Sequence, residues 1–110
     1  MVKTDDPSKY LPLSETTFYT MLCLVDEMHG YALMQRAKEI SQGTVQIGAG
    51  TLYTIFSNLE REELIKMVSE ADRRKTYALT YKGKQVLLQQ IKRLEIMALN
   101  GRSVMKLLVG

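Results

Sequence analysis

Thr51, Tyr53, Thr54, Ser57, Asn58 and Arg61 bring hydroxyl, amide and guanidinium groups into one short stretch, with no carboxylate before Glu60. At 3.6 residues per turn Gly50, Thr54, Ser57 and Arg61 share one arc of a helix, flanked by Thr51, Tyr53 and Asn58. Donors of this kind hydrogen-bond phosphate oxygens and base edges, and a helix of ordinary width fits the major groove of DNA. Taken alone the arc is equally a solvated helix surface. Other chemistry is harder to build. Catalysis would have to come from Cys23 with His29 or from Asp26 with Glu27, and adjacent helical residues point apart with no oxyanion or phosphate loop beside them. With one His, one Cys and no carboxylate cluster at ligand spacing, neither a metal site nor a cofactor is expected.

The arc needs a helix to carry it, and Leu52, Ile55, Phe56 and Leu59 supply the opposite stripe at i, i+3, i+4 and i+7. Upstream, Ser14 reads as an N-cap, with Leu13 placed to pack on Phe18 and a core stripe of Phe18, Met21, Leu22, Val25 and Met28. A second helix is expected over Tyr31 to Ile40, with Tyr31, Leu33, Met34, Ala37 and Ile40 inward, His29 in the turn before it and Gly43 stopping it. Thr44 to Ile47 reads as a short strand or an extended connector. Downstream, Leu64 to Glu70 and Thr76 to Thr80 alternate as two strands around the polar turn Ala71-Asp72-Arg73-Arg74-Lys75, whose tip is basic.

Thr80 caps a long last helix. Leu87, Ile91, Leu94, Ala98, Gly101, Met105 and Leu108 repeat at four, three, four, three, four, three, the spacing of a helix-helix seam. Asn100-Gly101 could end or bend that helix. The apolar seam, and the nearly all-round apolar surface of the first helix, call for a second chain. The dimer interface is therefore expected at Phe18, Leu22, Leu87, Ile91, Leu94, Ala98, Met105 and Leu108. The fold class is mainly α with a small β-hairpin, a winged helix-turn-helix plus a long C-terminal dimerisation helix. It divides into an arm over 1–12, a DNA-binding domain over 13–82 and the last helix over 83–110.

Composition limits the alternatives. The chain of 110 residues is 45% apolar and 25% charged, an ordinary globular balance. Charge is uneven: residues 1–44 hold four Lys or Arg against six Asp or Glu, and residues 45–110 hold eleven against six, so −2 and +5 make the net +3. Arg73 to Arg93 carries seven cations and no acid, a field that attracts a polyanion. One cysteine, no basic-then-apolar leader and no long uncharged apolar run lead to the expectation of a cytoplasmic protein with no membrane partner.

The ordered blocks His29-Gly30-Tyr31-Ala32-Leu33, Gly50-Thr51-Leu52-Tyr53, Leu59-Glu60, Leu64-Ile65 and Arg73-Arg74-Lys75-Thr76-Tyr77-Ala78-Leu79-Thr80-Tyr81-Lys82-Gly83 resemble the PadR family of transcriptional regulators in its short form. The resemblance covers about Leu13 to Ile96. It implies a winged helix that binds operator DNA as a homodimer, built by the last helix against the partner's first helix. DNA contacts are then expected from Thr51, Tyr53, Thr54, Ser57, Asn58 and Arg61, with Arg73, Arg74 and Lys75 on the wing. Thr54 stands where a proline commonly follows in the family, which bears on base preference. A small-molecule inducer is a further partner whose identity the sequence does not name. Some short members hold flat hydrophobic drugs between tryptophans of the last helices, and this chain has no tryptophan.

Overall fold

The computed structural model describes residues 6–110; the beginning of the expected arm, residues 1–5, lies outside them. Asp6 caps a 3-10 turn over Pro7–Tyr10, and Tyr10 and Leu11 pack against the core as pins. Helix α1 (Glu15–Cys23) starts where expected, with Ser14 Oγ accepting the Thr17 N–H at 3.1 Å. It ends earlier than the sequence pattern suggests. The chain leaves the helix at Leu24, leaving Val25 exposed rather than in the core stripe. Met28 is not helical but belongs to a two-residue strand, β1 (Met28–His29).

Helix α2 (Gly30–Ile40) is capped by His29, whose Nδ1 accepts the Ala32 N–H at 3.3 Å. The turn histidine is thus a helix cap. Leu33 and Ala37 are buried, whereas Tyr31 and Ile40, expected inward, are exposed. Tyr31 lies two residues from Leu33, which on a helix is nearly the opposite side. The helix closes with the Gly43 N–H on the Lys38 carbonyl at 2.8 Å and the Gln42 N–H on that of Glu39 at 3.1 Å. Gln42 and Gly43 both take positive φ. The next four residues form an extended connector, not a strand, with Val45 and Ile47 buried. Ser41 Oγ fixes this turn by accepting the Val45 N–H at 3.0 Å and donating to the Lys38 carbonyl at 3.2 Å.

Helix α3 (Ala49–Arg61) buries Leu52, Ile55, Phe56 and Leu59, the stripe read from the sequence. It ends in the same way as α2: the Leu64 N–H reaches the Leu59 carbonyl at 2.9 Å, the Glu63 N–H that of Glu60 at 3.0 Å, and Glu63 sits at φ 60°. Strands β2 (Ile65–Ala71) and β3 (Arg74–Leu79) follow, and β3 also pairs with β1. The sheet is therefore three-stranded and antiparallel in the order β1-β3-β2, one strand more than the expected hairpin.

Helix α4 (Tyr81–Val109) runs 29 residues without a break at Asn100-Gly101. Thr80 caps it, accepting the Gly83 N–H at 3.0 Å while donating to the Glu63 carbonyl at 2.6 Å. A Cβ on Gly83 would lie 2.0 Å from the Leu64 carbonyl oxygen, so only glycine lets α4 begin this close to the end of α3. The first turns of α4 belong to the winged-helix core: Val86 and Leu87 are buried, and buried Gln90 accepts the Leu13 N–H at 2.9 Å through Oε1. This corrects Leu87, expected on an uncovered seam, to a core position of the single chain. Beyond Ile91 every residue is exposed. At about 1.5 Å per residue α4 spans some 43 Å, which accounts for a longest dimension of 55 Å.

Candidate nucleic-acid interface

The α3 stripe commits one side of the helix to the core and leaves the other free. Thr51, Tyr53, Thr54, Ser57, Asn58 and Arg61 are all exposed, Tyr53 to 74%. Three of these side chains are already engaged. Thr54 Oγ1 donates to the Gly50 carbonyl at 3.2 Å, and Arg61 Nη2 donates to Asn58 Oδ1 at 2.8 Å. At the start of the helix Gly48 offers no side-chain cap and no acid stands in the first turn, so the leading N–H groups keep their donors and their positive end of the dipole. Cβ atoms at Gly48 and Gly50 would meet nothing within 4 Å.

The wing is held to this helix by aromatic packing. Tyr77 on β3 and Phe56 on α3 have ring centroids 4.5 Å apart. Burial pushes the Tyr77 hydroxyl above its ordinary range, and the carboxylates of Glu60 and Glu70 push the same way against the opposing pull of Lys75. Beyond Ile65 all of β2 is exposed, so the ribbon projects from the body. A bulge between Met67 and Ser69 adds local twist.

The turn is tighter than the five-residue loop read from the sequence. Ala71 pairs with Arg74, leaving only Asp72 and Arg73 between the strands, at φ 52° and 66°. Positive φ at both central residues is the geometry of a type I′ hairpin. Arg74 and Lys75 are then successive strand residues, and successive side chains in a strand point to opposite faces. The exposed Arg73, Arg74 and Lys75 therefore share the wing but not one face. Lys75 lies opposite Glu70 in register, which offsets part of its charge.

The structure also divides the basic run. Lys82 donates to the Glu62 carbonyl at 2.9 Å and sits over the Tyr10 ring, a structural role at the start of α4. Lys92 and Arg93 lie on exposed α4, away from the wing tip in the chain. Sequence reasoning missed Tyr31: it is 65% exposed, accepts from Gln35 Nε2 at 3.2 Å, and lines a small apolar notch with Tyr53 between α2 and α3. Its spacing from Leu33 could have placed it outward.

The expected interface residues on the other side fall into two groups. Phe18, Leu22 and Ile91 are partly buried against the core. Phe18 and Leu94 line an open groove with Leu13, Glu15, Tyr19 and Gln90. Ala98, Met105 and Leu108 are exposed on the projecting half of α4. Among the described residues no three His, Cys, Asp or Glu side chains are grouped to hold a metal, and no helix is long and apolar enough to cross a membrane.

A helix-turn-helix followed by a β-ribbon and a long terminal helix defines the winged-helix type of regulator. The chain belongs to the transcriptional regulator PadR-like family, whose profile matches residues 20–89. An uncharacterized protein from Lysinibacillus sphaericus is 33% identical over 75 residues, covering 64% of this chain and 69% of its own length. A transcriptional regulator from Clostridium thermocellum superposes with a TM-score of 0.67 at 21% identity, covering 96% of this chain and 99% of its own. A PadR-like transcription factor from B. fragilis gives a TM-score of 0.67 at 22% identity over 80% of this chain and 87% of its own. These structural likenesses concern the fold. The family is one of transcriptional regulators, not of enzymes.

Proposed function

We propose that the protein is a cytoplasmic repressor that binds a pseudo-palindromic operator as a homodimer. The observation that carries this reading is the outward face of α3: exposed hydroxyl, amide and guanidinium groups with no carboxylate before Glu60, beside a projecting basic ribbon fixed to the same helix by Phe56 and Tyr77. Helix α3 enters the major groove, presenting Thr51, Tyr53, Thr54, Ser57, Asn58 and Arg61 to bases and backbone. Arg73 and Arg74, with a smaller share from Lys75, neutralise phosphates at the flank. The projecting half of α4 pairs with a second copy, with Phe18, Leu22, Ile91 and Leu94 forming the near side and Ala98, Met105 and Leu108 the far side. A two-fold dimer then spaces its recognition helices by about 34 Å, one turn of DNA. Residues 13–82 serve as the reading head and the remainder of α4 as the dimer arm. An inducer would act by altering the angle between these arms.

Titration of the intact protein against a duplex carrying the region upstream of its own gene tests the reading. Tight binding that falls steeply with salt and is lost in Thr54→Ala plus Arg61→Ala, with unfolding unchanged, is the expected result. Equal affinity of wild type and double variant would remove α3 as the reader.

A further inference from the structure

We infer that Asn58 and Arg61 act as one guanine-reading unit in which Asn58 is the positioning residue and Arg61 the contact. The inference rests on the proposed DNA binding and goes beyond it in naming a base and a division of labour. Arg61 Nη2 donates to Asn58 Oδ1 at 2.8 Å across one turn of α3, and both residues are exposed. Arg61 forms no ion pair among the described residues, so this bond alone fixes its guanidinium.

The consequence for Asn58 is chemical. An asparagine that reads adenine uses Oδ1 as acceptor and Nδ2 as donor together. Arg61 takes one of the two acceptor positions of Oδ1, so Asn58 keeps its Nδ2 donors and a single acceptor position toward DNA, with a guanidinium crowding the adenine-reading approach. The consequence for Arg61 is the reverse. Nη2 carries two hydrogens, one on each edge of the planar fork. Whichever Asn58 takes, the opposite edge keeps two parallel donors, the pattern that O6 and N7 of guanine accept. A phosphate contact would need no such fixing, because a mobile cation neutralises a phosphate equally well. Holding the fork lowers the ordering cost of a directional contact.

Selection of binding sites from a random duplex library with intact wild type, followed by titrations against the selected site and its single-base variants, tests the unit. A fixed guanine is expected in each half-site, with replacement of that base weakening wild type roughly 10- to 100-fold. Arg61→Lys should lose that discrimination while keeping the salt slope, since charge remains and the fork does not. Asn58→Ala should lose part of it, and Asn58→Ala plus Arg61→Ala should be no worse than Arg61→Ala alone. Independent losses that multiply in the double variant, or guanine preference retained by Arg61→Lys, would overturn the unit while leaving DNA binding standing. Failure of wild type to select any sequence would overturn both. Both positions are exposed, and thermal unfolding of each variant verifies that the fold is unchanged.

Discussion

The ring of Phe56 on α3 lies 4.5 Å from that of Tyr77 on β3, tilted by 34°, and this pair fixes the angle between α3 and the wing. Both are buried, and Tyr77 stands in backbone register with Met28 of β1, so one residue links α3, β3 and β1. Phe56→Ala should cost about 3–5 kcal/mol, measured as a shift in urea unfolding, because it opens a cavity in a small core. Tyr77→Phe keeps the ring and should leave affinity for DNA near wild type. Equal loss of DNA binding in Tyr77→Phe would show that the hydroxyl, rather than the packing, is what the interface uses.

Stability and binding should separate at the wing tip. Arg73 holds φ 66° in a two-residue turn where glycine is preferred. Arg73→Gly removes a left-handed side-chain penalty of about 1–2 kcal/mol, part of it offset by the greater freedom of the unfolded glycine chain. The expected outcome is a protein at least as stable as wild type in thermal unfolding. Its log affinity against log salt should nevertheless flatten by roughly one unit for each phosphate contact removed. A variant both more stable and unchanged in salt slope would take Arg73 out of the interface.

Much of the winged helix was legible in the sequence because its signals are local. The four-residue stripe of α3, the caps at Ser14 and Thr80 and the alternation of β3 each depend on neighbours a few residues away. What was missed depends on distant partners. Strand β1 has two residues and exists only because Tyr77 and Thr76 offer it an edge. Leu87 fits a heptad seam, yet the core of its own chain claims it. The seven-cation run had the right composition, but composition carries no information about faces. Strand geometry separates Arg74 from Lys75, and Lys82 is taken by the Glu62 carbonyl.

Alkaline pH should weaken the fold. Burial raises the Cys23 thiol above its ordinary 9.0, with Arg36 opposing. Burial also raises the Tyr77 hydroxyl above 10.0. Below pH 9 both groups are protonated whether folded or unfolded, so the stabilisation is complete. As pH rises past 9 and then 10 the unfolded chain releases these protons first, and stability falls until the folded groups ionise too. Urea midpoints at pH 7, 9 and 10.5 should decline in wild type and decline less in Cys23→Ala plus Tyr77→Phe, each relative to its own value at pH 7. Parallel declines would assign the alkaline loss to other groups.

The projecting half of α4 supplies the test of the dimer. Ile96, Met97, Leu99, Leu107, Leu108 and Val109 are each at least 60% exposed in the single chain. A fully buried side chain of this kind contributes about 1.5–3 kcal/mol, so covering a few per chain in a two-fold pair outweighs an association cost of roughly 4–15 kcal/mol. Charges at Leu87 would be a poor test, since it lies in the core and its loss would unfold the single chain. Leu107→Glu plus Leu108→Glu avoids that: both lie near the end of α4 and are 81% and 78% exposed in the single chain. The double variant should sediment as a monomer at micromolar concentration while keeping the circular dichroism of a folded winged helix. It should also bind a single half-site weakly and lose the preference for a palindrome, because two heads no longer act as one ligand. A wild-type protein that sediments as a folded monomer under the same conditions would overturn the dimer and the palindromic operator together.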